Sequence, residues 1–289
     1  MTVTLATSES ETHAPRLCPQ CGDANGRMLA DYSVDPWRLV QCEACDGFVY
    51  LQNAPAYSRL ADEFAWEKTS AVERERRRVK YPVVNFIERM TRWRLSLFPG
   101  KRTRLYRRLF QKGRVLDVGC ASGQSIPEPF IPYGIEISQV LARKAQENMA
   151  ARSGRAICAP AIEGISQFPD RYFSGVVLSS FLEHEVNPKT LLEQVARVMA
   201  DDGKAYIRVP NFSSINRHVM GAKWCGFRHP DHVNYFTPKS LRRMARDCGL
   251  RMRLINPFML PFNDNINAVL SKGRDGGTPS RRNSYARSH

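Results

Sequence analysis

Arg114-Val115-Leu116-Asp117-Val118-Gly119-Cys120-Ala121-Ser122-Gly123-Gln124 leaves a folding chain few choices. An apolar run ending in an acidic residue reads as a buried strand, and the small residues after it form a turn where backbone can pass close to a ligand. Gly119 and Gly123 are the expected contact glycines. Such a turn alone is shared by many nucleotide-binding folds, so the next acidic residue matters. Glu136, in Tyr133-Gly134-Ile135-Glu136-Ile137-Ser138, closes the following strand 19 residues after Asp117. A carboxylate there can accept hydrogen bonds from both ribose hydroxyls of a nucleoside. Two neighbouring strand ends that carry carboxylates rather than Lys suit a ligand bearing cationic groups better than one rich in phosphate.

Short apolar runs recur on either side: Val115 to Val118, Tyr133 to Ile137, Ala156 to Cys158, Val176 to Leu178, Ala205 to Val209, Leu254 to Phe258 and Ile266 to Leu270. Helical patterns separate them, with starts at Ser138, at Asn187-Pro188 and at Thr237-Pro238, running to about Ala151, Met199 and Cys248. The alternation predicts an α/β fold with a Rossmann-like, doubly wound seven-stranded sheet. Composition divides the chain into a cysteine-bearing module over 1–55, a basic helical segment over 56–112, a catalytic domain over 113–272 and a polar tail over 273–289 expected to be disordered.

At these residues the chain resembles the class I S-adenosylmethionine-dependent methyltransferases. The likeness rests on the Leu116-Asp117-Val118-Gly119-Cys120 turn, the acidic second strand, Phe168-Pro169-Asp170 and Leu182-Glu183-His184, in that order. It implies that Asp117, Gly119 and Gly123, with Cys120 and Ala121 between them, face the methionine part of the cofactor. Glu136 and Ile137 would then meet the ribose, Ile162 and Glu163 the adenine, and Ser179 would stand at the end of the fourth strand. Three departures stand out. Ala121 occupies the family's middle glycine position, and Ser174 replaces the common Asp at the start of the fourth strand. Pro127, Pro129 and Pro132 follow the turn, so the usual first helix is expected to be short, broken or replaced by a loop.

Cys18-Pro19-Gln20-Cys21-Gly22 and Cys42-Glu43-Ala44-Cys45 are two Cys-x-x-Cys knuckles with twenty residues between them. Four thiolates so spaced can close tetrahedrally on zinc, with Gly22 and Gly47 relieving the tight turns; a redox motif would need one pair. With Cys18, Cys21, Cys42 and Cys45 all engaged no coordination position stays open, so the metal would be structural. Similar modules precede the catalytic domain in many small-molecule and glycan methyltransferases, and some ribosomal RNA methyltransferases carry zinc modules too. Cys120, Cys158, Cys225 and Cys248 read as small core residues.

Methyl transfer needs the attacking atom held in line with the methyl group, and a hydroxyl acceptor also needs a base. Histidine suits that role near neutral pH. His184 follows the fourth strand between Glu183 and Glu185. His232 lies in Trp224 to Phe236, a segment placed to act as a lid over an acceptor pocket. Both histidines are catalytic candidates, with the alternative that His184 caps a strand and that His232 and Tyr235 anchor a loop. By resemblance to some quinone-pathway methyltransferases, Glu183, His184 and Glu185 would instead hold a divalent ion.

The net charge is +15, and much of the basic charge falls between Arg74 and Arg108, interleaved with apolar residues such as Phe86, Met90, Trp93 and Leu97. Amphipathic helices with solvated Arg faces account for it, or else an anionic partner docks there. The chain has no apolar run long enough for a membrane span, and residues 1–14 lack an export signal, so a cytoplasmic location is expected. The expected activity is methylation of a small molecule or glycan, on oxygen. An RNA methyltransferase docking through the cysteine module and the arginines is the alternative, though no Asn-Pro-Pro-Tyr-type base pocket follows the fourth strand. A third possibility is a cofactor-binding protein without catalysis.

Overall fold

The computed structural model describes residues 15–55, 101–255 and 257–273. The Arg-rich run as far as residue 100 and the tail after residue 273 lie outside the described residues. In the catalytic region seven strands form one sheet: β4 (Arg114–Val118), β5 (Ile131–Glu136), β6 (Arg155–Cys158), β7 (Phe173–Ser179), β8 (Met199–Pro210), β10 (Leu250–Leu254) and β11 (Asn265–Lys272). Their order across the sheet is β10-β11-β8-β7-β4-β5-β6. The middle pairs are parallel, whereas β11 runs antiparallel to both β8 and β10. Val115, Leu116 and Val118 of β4 are buried, as a central parallel strand covered on both faces requires. Pro132 fits β5 because pairing with β6 begins only at Tyr133, so its missing N–H is not needed by that ladder.

Three of the helices begin on side-chain caps, at Ser138, Ser214 and Thr237. Ser138 accepts a hydrogen bond from the Leu141 N–H at the start of α2 (Gln139–Ala150), after α1 (Lys101–Leu109). α3 spans Ala161–Ser166 and α4 spans Pro188–Val198, the latter with proline in its first turn. α5 (Ile215–Met220) precedes α6 (Pro238–Asp247), which opens on a reciprocal box between Thr237 and Ser240. Two expectations change. The strand expected at Leu254 to Phe258 lies earlier, ending at Leu254, because Pro257 starts a 3-10 turn and Pro261 continues it. Cys120 and Cys248 are buried as expected, but Cys158 is exposed at the carboxyl end of β6 and Cys225 is only half-buried.

No helix forms between Gly119 and Phe130, where the proline-rich stretch runs as consecutive turns. Phe130 and Ile126 still reach the core beside Tyr106 and Phe110 of the α1 region, so a loop covers that face of the sheet.

The cysteine module contributes β1 (Gly26–Met28), β2 (Leu39–Cys42) and β3 (Val49–Leu51). Its sheet has a fourth strand from far along the chain: β9 (Asn234–Tyr235) pairs antiparallel with β3, placing Tyr235 opposite Val49. Phe48 packs edge-on against Phe236 with ring centroids 5.4 Å apart. Lys239 and Arg243 of α6 both pair with Asp46. The module and the catalytic sheet therefore share one apolar core, which includes Cys45, Tyr50, Leu182 and Phe236.

Candidate active site

The turn after β4 is shaped by backbone sign and by close packing. Gly119, Ala121 and Gly123 all have positive φ, at 73°, 48° and 78°. A β-carbon on Gly119 would lie 2.4 Å from the Phe181 ring. Gly119 therefore keeps one side exposed while Phe181 closes the other. Gly123 turns inward, where a β-carbon would meet Ala145 of α2 at 2.9 Å, so its missing side chain serves helix packing. Cys120 is buried beneath the turn.

Glu136 ties this turn to the next strand. Its carboxylate accepts from the Ala121 N–H at 2.9 Å and from the Ser138 N–H at 3.0 Å, one bond on each oxygen. Each oxygen keeps a further lone pair for a ligand hydroxyl. Asp117 is buried at the end of β4 and receives the Ser125 hydroxyl. Burial pushes its carboxyl up to about 7, and the Glu136 charge adds to that while Ser125 and Arg102 oppose it. Ile137 follows β5 and Ser179 ends β7, both half-buried at the carboxyl edge of the sheet; Ile162 and Glu163 lie in the first turn of α3, Ile162 half-buried and Glu163 exposed. The edge thus gathers Asp117, Glu136 and Ser179 from three adjacent strands, as the sequence reading expects. Ser125 is an addition, hidden in the proline-rich stretch; Ser174, in place of the common Asp, bonds the carbonyls of Gln111 and Arg114.

Beyond β7 the chain makes a tight turn closed by the His184 N–H on the Phe181 carbonyl. His184 and His232 meet here edge-on, with ring centroids 4.8 Å apart. His184 Nδ1 lies 2.9 Å from both the Oδ1 and the backbone carbonyl of Asp231. Both partners accept, so Nδ1 carries a proton. Burial works against a charged His184, but the Asp231 charge and hydrogen bonds, with Glu183 behind them, prevail and raise it to about 9. His184 also draws the Asp231 carboxyl well below the usual carboxylate range.

His232 behaves in the opposite way. It is buried, and its Nδ1 lies 2.8 Å from the Gly226 carbonyl. That carbonyl only accepts, so Nδ1 holds the proton and Nε2 presents a bare lone pair. Burial, reinforced by the His184 charge, keeps His232 well below its ordinary value and hence neutral. Ligand-capable atoms of Glu183, His184 and His232 lie within 4.8 Å of one another. Glu185 departs from the expected trio: it turns away to accept from the Asn187 N–H.

The expected lid is not a free flap. Trp224, Phe227 and Tyr235 are buried with Leu39 and Val49 of the cysteine module, and Trp224 Nε1 donates to Asp264. Such a density of aromatic contacts with the module makes the segment a seam between two sheets. Asp231 lies in the same segment, one residue before His232, and that nearness is the sequence signal for its place beside His184.

The four cysteines of the module converge. Cys18 Sγ lies 3.5 Å from Cys45 Sγ, and Cys21 Sγ lies 3.6 Å from Cys42 Sγ. Gly22 and Gly47 adopt positive φ after the knuckles. A tetrahedral zinc site with arms of about 2.3 Å has sulfur-sulfur edges of about 3.8 Å, so these spacings fit the ion. Burial drives the Cys18 thiol up to about 12, and a cation among the sulfurs would favour the thiolate instead.

Several known proteins are similar to this chain. Residues 90–255 match the family described as methyltransferase domain. An uncharacterized protein of Methanocaldococcus jannaschii is 26% identical over 146 residues, spanning 50% of this chain and 68% of its own. Ubiquinone biosynthesis O-methyltransferase of Aeromonas salmonicida is 28% identical over 190 residues, 56% of this chain and 76% of that protein. Its counterpart in Idiomarina loihiensis is 30% identical over 184 residues, 57% and 71% respectively. Among solved structures, a SAM-dependent methyltransferase from Archaeoglobus fulgidus aligns with a TM-score of 0.45 and 18% identity, covering 59% of this chain and 92% of that one. The chain belongs to the methyltransferase domain family and is a class I S-adenosylmethionine-dependent methyltransferase. Among the described residues no helix is long and apolar enough to cross a membrane.

Proposed function

We propose that the protein methylates a hydroxyl group of a small organic or glycan acceptor, with His232 as the general base. The observation that carries this reading is the fixed tautomer of His232: a neutral, buried imidazole whose Nε2 is free to take a proton. The relatives named for ubiquinone biosynthesis are O-methyltransferases, which supports oxygen as the acceptor atom.

S-adenosylmethionine, when bound, supplies an electrophilic methyl group on a sulfonium. Asp117, Gly119, Cys120, Ala121 and Gly123 form the turn that receives its methionine part. Glu136, already oriented by two backbone N–H groups, accepts from the ribose hydroxyls with Ile137 alongside. Ile162 and Glu163 flank the adenine, and Ser179 lines the floor between the two halves. His232 would take the acceptor's hydroxyl proton on Nε2 as that oxygen accepts the methyl group. The proton on His184 keeps a positive charge beside the developing oxyanion. Cys18, Cys21, Cys42 and Cys45 hold a structural zinc ion, which favours folding of the module.

Three measurements test this together. Calorimetry with S-adenosylhomocysteine should give saturable binding that Glu136→Ala weakens; no binding by the unaltered protein would remove the reading. Metal analysis should give one zinc per chain, and none after Cys45→Ser. Labelled methyl from S-adenosylmethionine should enter hydroxylated small molecules or glycans as an ether; label appearing in RNA instead would select the competing substrate class.

A further inference from the structure

Arg16 stands two residues before the first cysteine knuckle and reaches across to two distant parts of the chain. Its Nη1 donates to the Val233 carbonyl at 3.0 Å, and its Nη2 donates to Asn234 Oδ1 at 2.8 Å and to the Val186 carbonyl. Its guanidinium also lies over the Tyr50 ring of β3, 5.9 Å from the centroid. Val233 adjoins His232, and Val186 lies two residues beyond His184.

Asn234 transmits the contact. A guanidinium can only donate, so Arg16 fixes which end of the Asn234 amide is oxygen. The amide nitrogen then donates to the carbonyls of Leu182 at 3.0 Å and Glu185 at 2.7 Å, on either side of Glu183-His184. The Glu183 carbonyl in turn accepts from the Val233 and Asn234 N–H groups. The turn carrying His184 and the strand following His232 are thus clasped together at a point where Arg16 holds the outer side. On the opposite edge, the Leu51 N–H of β3 donates to the same Val233 carbonyl that Arg16 engages.

We propose that Arg16 is a positioning residue for the histidine site: its forked guanidinium, bound to Val186, Val233 and Asn234, sets how the His184 turn and the His232 strand lie against each other. The proposal rests on the reading of His232 as the base and assigns the amino-terminal module a part in that chemistry besides its own folding. A planar fork can serve three acceptors at once in directions that a lysine ammonium cannot reproduce.

The test uses the full chain with Arg16→Met and Arg16→Lys, neither cofactor nor acceptor being needed for the main readouts. Nitrogen-15 spectra of the imidazoles report the His232 tautomer and the His184 titration, and amide exchange reports local opening. In Arg16→Met, exchange protection at Val233 and Asn234 should fall about tenfold or more, the scale of losing charge-assisted hydrogen bonds. The imidazole signals of His184 and His232 should shift, while protection in β4 and β8 and affinity for S-adenosylhomocysteine stay within about twofold. Arg16→Lys should recover part of the lost protection. Unchanged imidazole signals would overturn the proposal, as would an equal loss of protection in β4 and β8, which would make Arg16 a general stabiliser. Failure of the unaltered protein to bind S-adenosylhomocysteine would bear on the methyl-transfer reading alone, because the imidazole and exchange readouts do not depend on it.

Discussion

The turn between β4 and β5 and the histidine pair, His184 after β7 and His232 just before β9, sit at the same edge of one sheet but are built in different ways. The turn is local: Asp117, Gly119, Ala121, Ser125 and Glu136 come from one strand-turn-strand unit, and the bonds that shape it, from Ala121 and Ser138 to Glu136, span 15 and 2 residues. The histidine site is assembled from afar, with His184 and Asp231 47 positions apart along the chain, and Arg16 and Val233 217 positions apart. A local site is specified once its strand forms, whereas the distant one depends on the seam between the cysteine module and the catalytic sheet. Damage to the seam should therefore reach chemistry before it reaches cofactor binding.

Four outcomes sharpen that contrast, starting from the greatest. His232→Gln should lower kcat about a thousandfold, in the range for losing a general base, with S-adenosylhomocysteine affinity unchanged; calorimetry beside a turnover assay checks both. A matched fall in affinity would mean that the two regions are one site. Gly119→Val should act the other way, because a branched side chain at φ 73° would strike Phe181. With strain of about 1 to 3 kcal/mol from the backbone alone and the clash added, affinity for S-adenosylhomocysteine should fall about a hundredfold while amide protection around His232 persists.

The third outcome concerns pH. His232 is neutral because of burial and the His184 charge, so the acidic limb of kcat/KM should lie below pH 6.5 and move upward in His184→Gln. The same substitution tests stability. His184 has a folded pKa raised to about 9, so its pairing with Asp231 stabilises fully below the ordinary histidine value, and that contribution is lost as pH rises through about 9. Urea midpoints should decline over that window in the unaltered protein, and the decline should be reduced in His184→Gln. The smallest effect belongs to Asp117. Burial holds its carboxyl at about 7, so binding the sulfonium of S-adenosylmethionine at pH 7 should expel a fraction of a proton. Calorimetry in buffers of differing ionisation enthalpy would detect it, and Asp117→Asn should abolish it.

Much of this protein was determined by its sequence. Strand spacing, caps at Ser138 and Thr237, and the paired knuckles depend on neighbours within a few residues, where sterics and hydrogen-bond geometry permit little else. The proline run at 127–132 likewise predicts a first helix that is short, broken or replaced by a loop, since missing N–H groups act locally, and the loop is what forms. The strand misplaced at Leu254 to Phe258 shows the limit, because an apolar run there met Pro257 and became a 3-10 turn. Only the tertiary structure decided that β9 would complete the module's sheet, that Asp231 would charge His184, and that the Gly226 carbonyl would fix the tautomer of His232. Those contacts join segments whose separation along the chain carries no periodic or compositional signal; burial lowers the pKa of both histidines, and the hydrogen-bonded Asp231 gives His184 the charge that His232 lacks.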